Sequence, residues 1–514
     1  MNRPEVVGRR SVGDWKERDM RLRLGFGVWL ALLPATLAAA PGAGSPALLD
    51  AVRQGDRGTV RALLKQRADV KTAEPDGTTA LHWAVRADDL EMARLLVRAG
   101  AEVNAANRLG VTPISLAATN GNPAVIEMLL KAGANPNSAL PEGETVLMTA
   151  ARTGNAAALK WLISYGADVR ARESWVGESA LMWAAAENHA AAVKLLVEVG
   201  ADINGRSAPS SIPRLEYPRI GLIPADLPRG GWTPLMYAAR QGAFEAAAAL
   251  VEIGADINAA DPAGTTPMIL AIINGHFDLA RMLLDKGADP NVADASGMTA
   301  LYAAVDMHTL GWMQGRPAPK PSGDLDSVDI VKALLAHGAN PNAQLKAPLQ
   351  RRAHTNGDAS LGAGATPLMR AAKWGDLTLM RLLLANGADA ALRQKSHTTV
   401  LMIAAGVGKR AGGDEDDPRE RGTESDAIEA IKLCLERGVD VNAFNDNGDT
   451  ALHGATGEAL IRFLVEKGAR PDVQNRLKQT PLDVVKRTRG DRSPAAILLG
   501  QLTANVRKPD AQTQ

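Results

Sequence analysis

The chain has 514 residues, with 58 Lys and Arg against 57 Asp and Glu and a formal net charge of +1. That balance gives no general pull toward nucleic acid or an anionic membrane, and the single cysteine, Cys434, excludes an intramolecular disulfide framework. Only 4% of residues are aromatic while Ala and Leu dominate, a composition suited to thin helices packing across many small interfaces.

Residues 1–19 are polar and charged. From Met20 the run Met-Arg-Leu-Arg leads into an apolar stretch, Leu24 to Leu37, and then into the small residues Ala38 to Gly44. A positive start, a short apolar core and a small-residue exit read as a secretory signal over about residues 20–44, cut between Ala38 and Ser45. The stretch is short for a membrane span of about 20 residues, although a retained anchor is the alternative. Translation starts at Met1 or at Met20 on this reading, and Arg9-Arg10 resembles a twin-arginine signal only weakly. Export without disulfides fits a bacterial periplasm. The expectation is an exported, periplasmic or secreted chain with no membrane insertion once the signal is removed.

From Pro46 the sequence becomes periodic. Pro46 to Asp69 reads as an incomplete first unit with Leu48, Leu49, Val52, Val60, Leu63 and Leu64 facing inward. A Thr-Pro-Leu-like tetrapeptide then opens at Thr79, Thr112, Thr145, Ser179, Thr233, Thr266, Thr299, Thr366, Thr399, Thr450 and Thr480. Uninterrupted steps are 33 residues, with one of 34 and a shorter one of 30 from Thr450 to Thr480. Self-similarity at this period means stacked supersecondary units, not a globule with one pocket.

The unit from Gly231 to Asn258 shows why each repeat folds. Thr233 suits an N-cap, and Pro234 a first helical position where its missing N–H costs nothing. Leu235, Ala238 and Ala239 share one face at i, i+3, i+4 spacing, and Gly242 ends this first helix. A second helix is predicted from Phe244 to Ile253, with Gly254 as its left-handed stop. Asp256, Asn258 and Gly264 build the turn into the next unit.

This Thr-Pro-Leu-x-x-Ala-Ala … Gly … Leu-Leu … Gly-Ala-Asp-x-Asn pattern resembles the ankyrin repeat over roughly residues 46–500. The resemblance implies an all-α solenoid of about eleven stacked repeats, curved, with β-turn fingers and with partners bound on the fingers and inner, concave helices. The family often has His after the Leu. Here only His82 and His453 occupy that place, and Met148, Met182, Met236, Met369 and Met402 replace it, exchanging a polar tie for adaptable packing. The closing unit begins at Thr480, a disordered tail is expected over 503–514, and the short Thr450 unit should have a clipped first helix.

Four insertions break the period, at about 206–229, 308–326, 344–364 and 406–425. The first and third follow a Gly-Ala-Asp/Asn-x-Asn close and enlarge the finger side. The second and fourth separate the two helices of a unit. The first, in which Ile212, Leu215, Tyr217, Ile220, Leu222, Ile223 and Leu227 alternate with Arg214, Arg219 and Arg229, reads as an ordered lobe beside Trp232, or as a loop covering its neighbours. The second carries Trp312 and a Pro-rich run. The fourth carries Asp414 to Asp417, which lacks the alternation and closing Glu of a calcium loop and reads as a solvated loop.

The eight histidines are scattered, and no metal motif, nucleophile elbow or phosphate loop is present in sequence. No catalytic, cofactor or metal residues are therefore assigned, and no cofactor is expected. Cys434 reads as a small core residue, with a reactive thiol as the alternative. First-helix and finger positions expected on the surface include Trp83, Arg86, Glu144, Arg152, Trp175, Arg370, Lys373 and Trp374. The aromatics among them are either surface or packing between repeats. The candidate partner-binding patch is Trp183, Arg214, Tyr217, Arg219, Trp232, Tyr237 and Arg240. The leading expectation is a monomeric, non-enzymatic scaffold for a protein partner, without nucleic acid. An enzyme assembled by the inserts and a structural envelope spacer are the other two classes.

Overall fold

The computed structural model describes residues 47–210, 229–308, 321–348, 361–407 and 423–506. Within them the chain forms helix pairs in series, the first being Ala47–Arg53 with Arg57–Lys65 and the last Pro481–Arg489 with Pro494–Val506. In the Thr233 unit the helices are Pro234–Gln241 and Phe244–Ile253. The Thr233 hydroxyl accepts the Met236 N–H at 3.4 Å and so satisfies an otherwise unpaired helical donor. Gly242 and Gly254 take φ of 73° and 102°, a region closed to most side chains, and this lets the chain reverse after each helix. Ala238 and Ala239 are fully buried. Their lack of bulk allows the next unit to come close.

First helices stack on first helices. Ala80–Arg86 packs on Pro113–Asn120, that on Val146–Thr153, that on Ala180–Ala186, and that on Pro234–Gln241. The 206–229 insertion thus leaves the stack continuous. Second helices pack likewise, Ala190–Glu198 against Phe244–Ile253 for example.

Two hydrogen-bond ladders lock the joints between units. In one, the closing Asn of a unit reaches across the joint. Asn137 donates to Gly166 O at 3.0 Å and accepts the Asp168 N–H at 2.7 Å. Asn342 does the same with Gly387 O at 2.9 Å and Asp389 N–H at 2.7 Å. In the other, finger tips bond along the stack: Arg108 N–H to Asp76 O, Ser174 N–H to Glu142 O and Lys395 N–H to Ala363 O, each at 2.8 Å. Pro141 and Pro262 stand at donor positions of this second ladder and have no N–H to give. Each packs instead against a finger glycine, Gly110 and Gly231, where an added Cβ would lie 2.9 and 2.8 Å from the proline ring.

The histidines serve the same joints. His82 Nε2 donates to Val111 O at 3.0 Å, and His453 Nε2 to Gln479 O at 3.1 Å. Burial holds both rings below the ordinary histidine value, which keeps them neutral. Where Met replaces His, part of the tie survives within the unit: the Thr145 and Thr399 N–H groups point at Met148 and Met402 sulfur at 3.4 and 3.5 Å. Cys434 is buried, and burial pushes its thiol up to about 12. It is a core residue.

Residues 211–228, 309–320, 349–360 and 408–422, within the four expected insertions, lie outside the described residues. Pro209–Ser210 pairs antiparallel with Arg229–Gly230 at the base of the first. Leu345 N–H donates to Ala365 O at 2.9 Å and Gly364 N–H to Leu345 O at 2.7 Å, so the third leaves its finger closed. The second lies between Ala300–His308 and Ser327–Ala336, the fourth between Val400–Ala404 and Glu424–Glu436. Trp312 and Asp414 to Asp417 fall outside the described residues, as do residues 1–46 with the expected signal. The clipped helix of the Thr450 unit is present as Ala451–Gly454.

Three expectations are corrected. The final helix runs to Val506, beyond the limit of 502, because Thr503 turns inward and its hydroxyl donates to Leu499 O at 2.7 Å. The second helix of the Thr399 unit starts at Glu424, inside the expected insertion, because Thr423 caps it. Arg370 and Glu144, expected on the surface, are buried at 4% and 9% exposure. Arg370 Nε lies 2.6 Å from Asp306, itself buried, and a charge so enclosed is tolerated only with its partner.

One further tie titrates. His308 Nε2 sits 3.1 Å from the Asp376 carboxylate of the next unit, and its Nδ1 lies 2.7 Å from the Ser327 hydroxyl. The hydrogen bond to Asp376 holds His308 above the ordinary histidine value. Burial works against ionisation of Asp376, yet the His308 and Leu379 hydrogen bonds hold it below the usual carboxylate range.

Two stability measurements test these joints. At Ala391, which stands where other units carry the closing Asn, the first ladder lacks its side chain. Replacing Asn342→Ala should cost about 1–2 kcal/mol in denaturant unfolding, and Ala391→Asn should add up to about 1 kcal/mol; a neutral Asn342→Ala would remove the ladder's importance. A group raised in the folded state contributes stability below its ordinary value and loses it as pH rises through the folded one. The margin of wild type over His308→Gln should therefore be larger at about pH 5.5 than at about pH 8, where Asp376 stays ionised throughout. An equal margin at both would contradict the tie.

Candidate functional site

The joint between the Ser179 and Thr233 units gathers a cluster of aromatic and charged side chains. Trp183 and Tyr237 occupy the same phase of successive first helices, four residues after Ser179 and Thr233. Glu178 lies in the finger, one residue before the Ser179 cap. The Trp183 indole N–H donates to Glu178 Oε2 at 2.8 Å, and the Tyr237 hydroxyl hydrogen-bonds both Glu178 and Ser207. Glu178 therefore bridges two units, and Tyr237 carries the link on to Ser207 at the root of the first insertion. The carboxylate of Glu173 accepts N–H groups of Trp175, Val176 and Glu178 at 2.5, 2.9 and 2.7 Å, which fixes the finger carrying Glu178.

Trp232 extends the cluster. Its backbone N–H donates to Ser207 Oγ and its carbonyl accepts the Ser207 N–H, both at 3.0 Å. Its ring meets Tyr237 edge-on, with centroids 5.5 Å apart at 71°, a favourable arrangement for two aromatic quadrupoles. Its indole N–H donates to Asp261 Oδ2 at 3.2 Å, and the Arg240 guanidinium lies 5.1 Å from its ring centre.

Electrostatics follow from the half-buried setting. Burial pushes the Glu178 carboxyl above its ordinary range, against the pull of the Tyr237 and Trp183 hydrogen bonds. Burial, with the Glu178 charge beside it, also raises the Tyr237 phenol. The phenol is protonated at any physiological pH and acts as a fixed donor.

The same device recurs along the stack. Trp83 donates to Glu74 at 3.1 Å and lies under Arg53 and Arg86, at 4.7 and 5.4 Å. Trp183 lies under Arg152 at 5.4 Å, and Arg152 approaches Glu144, which also accepts the Thr149 hydroxyl at 2.8 Å. Trp374 has Arg370 and Lys373 at 5.4 and 5.9 Å. In the units that carry them, Trp83, Trp183 and Trp232 each hold a carboxylate at the indole N–H and a cation over the ring.

Of the patch expected from sequence, Trp183, Trp232, Tyr237 and Arg240 come together here. Arg214, Tyr217 and Arg219 lie outside the described residues. The two alternatives for the aromatics merge: Trp183 and Trp232 are partly exposed and also packed against the core. Glu178, Ser207 and Asp261 were missed. Glu178 had a signal, since it shares with Glu144 the position before the capping residue.

Family models of ankyrin repeats match residues 48–139, 114–207, 260–345 and 323–411, and a further one matches 235–284. Similar proteins include Ankyrin repeat and KH domain-containing protein mask-1 of Caenorhabditis elegans, 31% identical over 30% of this chain and 5% of that protein. They also include E3 ubiquitin-protein ligase KEG of Arabidopsis thaliana, 29% identical over 31% of the chain and 8% of the ligase. A third is the B-cell lymphoma 3 protein homolog of Mus musculus, 27% identical over 31% of the chain and 38% of the relative. The chain thus spans well under two thirds of each of these relatives. With repeat models covering more than half of its length, the chain belongs to the ankyrin repeat family.

Proposed function

We propose that this chain is a non-enzymatic binding scaffold that captures a protein partner on its first-helix and finger face, centred on Glu178, Trp183, Trp232 and Tyr237. Ankyrin repeats generally mediate protein–protein interaction. The observation that carries the finer reading is the bridge from Trp183 and Tyr237 to Glu178, which holds aromatic rings in place before any partner arrives. Aromatic and arginine side chains dominate contact energetics, and groups already fixed lose less entropy on binding. The match to the plant ubiquitin ligase covers a small share of that protein and lends no reaction to this chain.

Export remains part of the proposal and rests on residues 20–44 alone. Terminal sequencing of the protein recovered from its own cell should find a first residue between Ala39 and Ser45; an intact residue 20 would overturn it. For binding, affinity capture with the full chain should lose about tenfold or more of its partner when Trp183 and Trp232 are both replaced by Ala. A Lys194→Ala change on a second helix should leave capture unaltered. Equal capture by the double variant, folded as judged by circular dichroism, would sink the reading.

A further inference from the structure

The second helices carry a charge pattern of their own. Those of the first three units, Arg57–Lys65, Leu90–Arg98 and Pro123–Lys131, each end on a cation. Later ends include Ser164, Glu198, Asp285, Glu436 and Glu466, so a cation at this place is no requirement of the fold, whatever it adds at the negative end of the helix dipole. Among the described residues Arg61, Lys65, Arg67, Arg98 and Lys160 are exposed and have no carboxylate partner, while Arg94 and Lys131 are held by Glu91 and Glu127 of their own helices. The other carboxylates of the first two units are engaged at the opposite helix ends or in turns. Asp56 and Asp89 cap the helix starts, Asp89 also holds Arg57, and Asp69 accepts the Lys71 N–H. Glu102, in the turn after Arg98, is exposed. Arg67 takes a φ of 60° where later units have glycine, from Gly100 and Gly133 onward to Gly468. A side chain held in that left-handed region is strained, and such strain gathers at functional sites. Beside the cations lies an aromatic pair: the Trp161 and Tyr165 ring centres are 6.3 Å apart, Tyr165 is 40% exposed, and Lys131 Nζ is 5.5 Å from the Trp161 ring centre. Glu198 and Glu252 follow on the next second helices and bound the patch.

We propose that this second-helix surface, from Arg61 to Tyr165, docks on an anionic lipid bilayer. Cations facing a negative headgroup layer, with Trp and Tyr at the margin, are the arrangement that binding at a membrane surface uses. Neighbouring packed helices lie about 8–10 Å apart, so four of them spread these groups over roughly 24–30 Å, a breadth suited to a surface. A nucleic acid fits less well: Trp161 packs on the core with Lys131 over its ring, and a base would have to displace that cation to stack. The contact is peripheral, since no helix among the described residues is long and apolar enough to cross a membrane. It also lies on the second helices, which leaves the first-helix face open to a protein partner while the bilayer is bound.

The test is vesicle sedimentation of the full chain, with vesicles of phosphatidylcholine alone or mixed equally with phosphatidylglycerol. Binding should be about tenfold or more tighter to the mixed vesicles and should weaken as salt rises. An Arg61→Gln, Lys65→Gln, Arg98→Gln triple variant should lose about tenfold or more of that binding while its circular dichroism stays that of wild type. Arg67→Gly should raise the unfolding temperature by relieving the left-handed residue, and still weaken binding to the mixed vesicles by about threefold or more. Equal binding to both vesicles, undiminished binding by the triple variant, or release of the chain from the mixed vesicles by an oligothymidylate would overturn the proposal. Capture of the protein partner should be the same for the triple variant and wild type; its loss would assign this surface to that partner and overturn the bilayer.

Discussion

The closing Asn of one unit gives its amide N–H to a carbonyl of the next and takes that unit's backbone N–H in return, as Asn137 and Asn342 do. A single helix pair of this size cannot bury its apolar face alone, so every unit depends on the joint with its neighbour. The joint needs small side chains such as Ala238 and Ala239 to allow approach, left-handed glycines to reverse the chain, and these cross-unit bonds to fix the register. At two joints another contact stands in for a missing bond: Arg170 Nε reaches Gly200 O at 3.3 Å, and Pro141 packs on Gly110.

That regularity places the binding surface. Because first helices stack in one line, residues at a fixed distance from each capping Thr fall side by side. Trp183 and Tyr237 meet at Glu178 for this reason, although the 206–229 insertion separates them in sequence. The same phase rule sets Arg86, Arg152 and Arg240 in one row, each over an indole. A periodic scaffold thus turns sequence spacing into a ruler, and its surface chemistry is a list of substitutions at one or two phases.

Much of the scaffold was legible in the sequence because its determinants are local. The Thr caps, the first-position prolines, the stops at Gly242 and Gly254, and the breaks in period all act within a few residues. Cross-unit partners were less legible. Asn258 read as a turn residue, whereas its side chain accepts the Asp289 N–H of the following unit at 2.9 Å. Arg370 read as exposed because its helical phase matches Tyr237, and only the stack reveals Asp306 on the adjoining helix. The patch was found from aromatic content, but its organiser Glu178 was not, since a lone acidic residue beside a cap carries no signal until its phase is compared with Glu144. Insert chemistry at Arg214, Tyr217 and Arg219 lies outside the described residues.

The central claim is that partner contact falls on the face carrying Trp183 and Tyr237, rather than on the second helices behind it. Photo-crosslinking decides this most directly, with a crosslinking residue placed in turn at Thr119 and Glu187 on first helices and at Lys194 and Glu252 on second helices. The account predicts partner adducts from the first pair only. Adducts from Lys194 or Glu252, with none from Thr119 or Glu187, would contradict it.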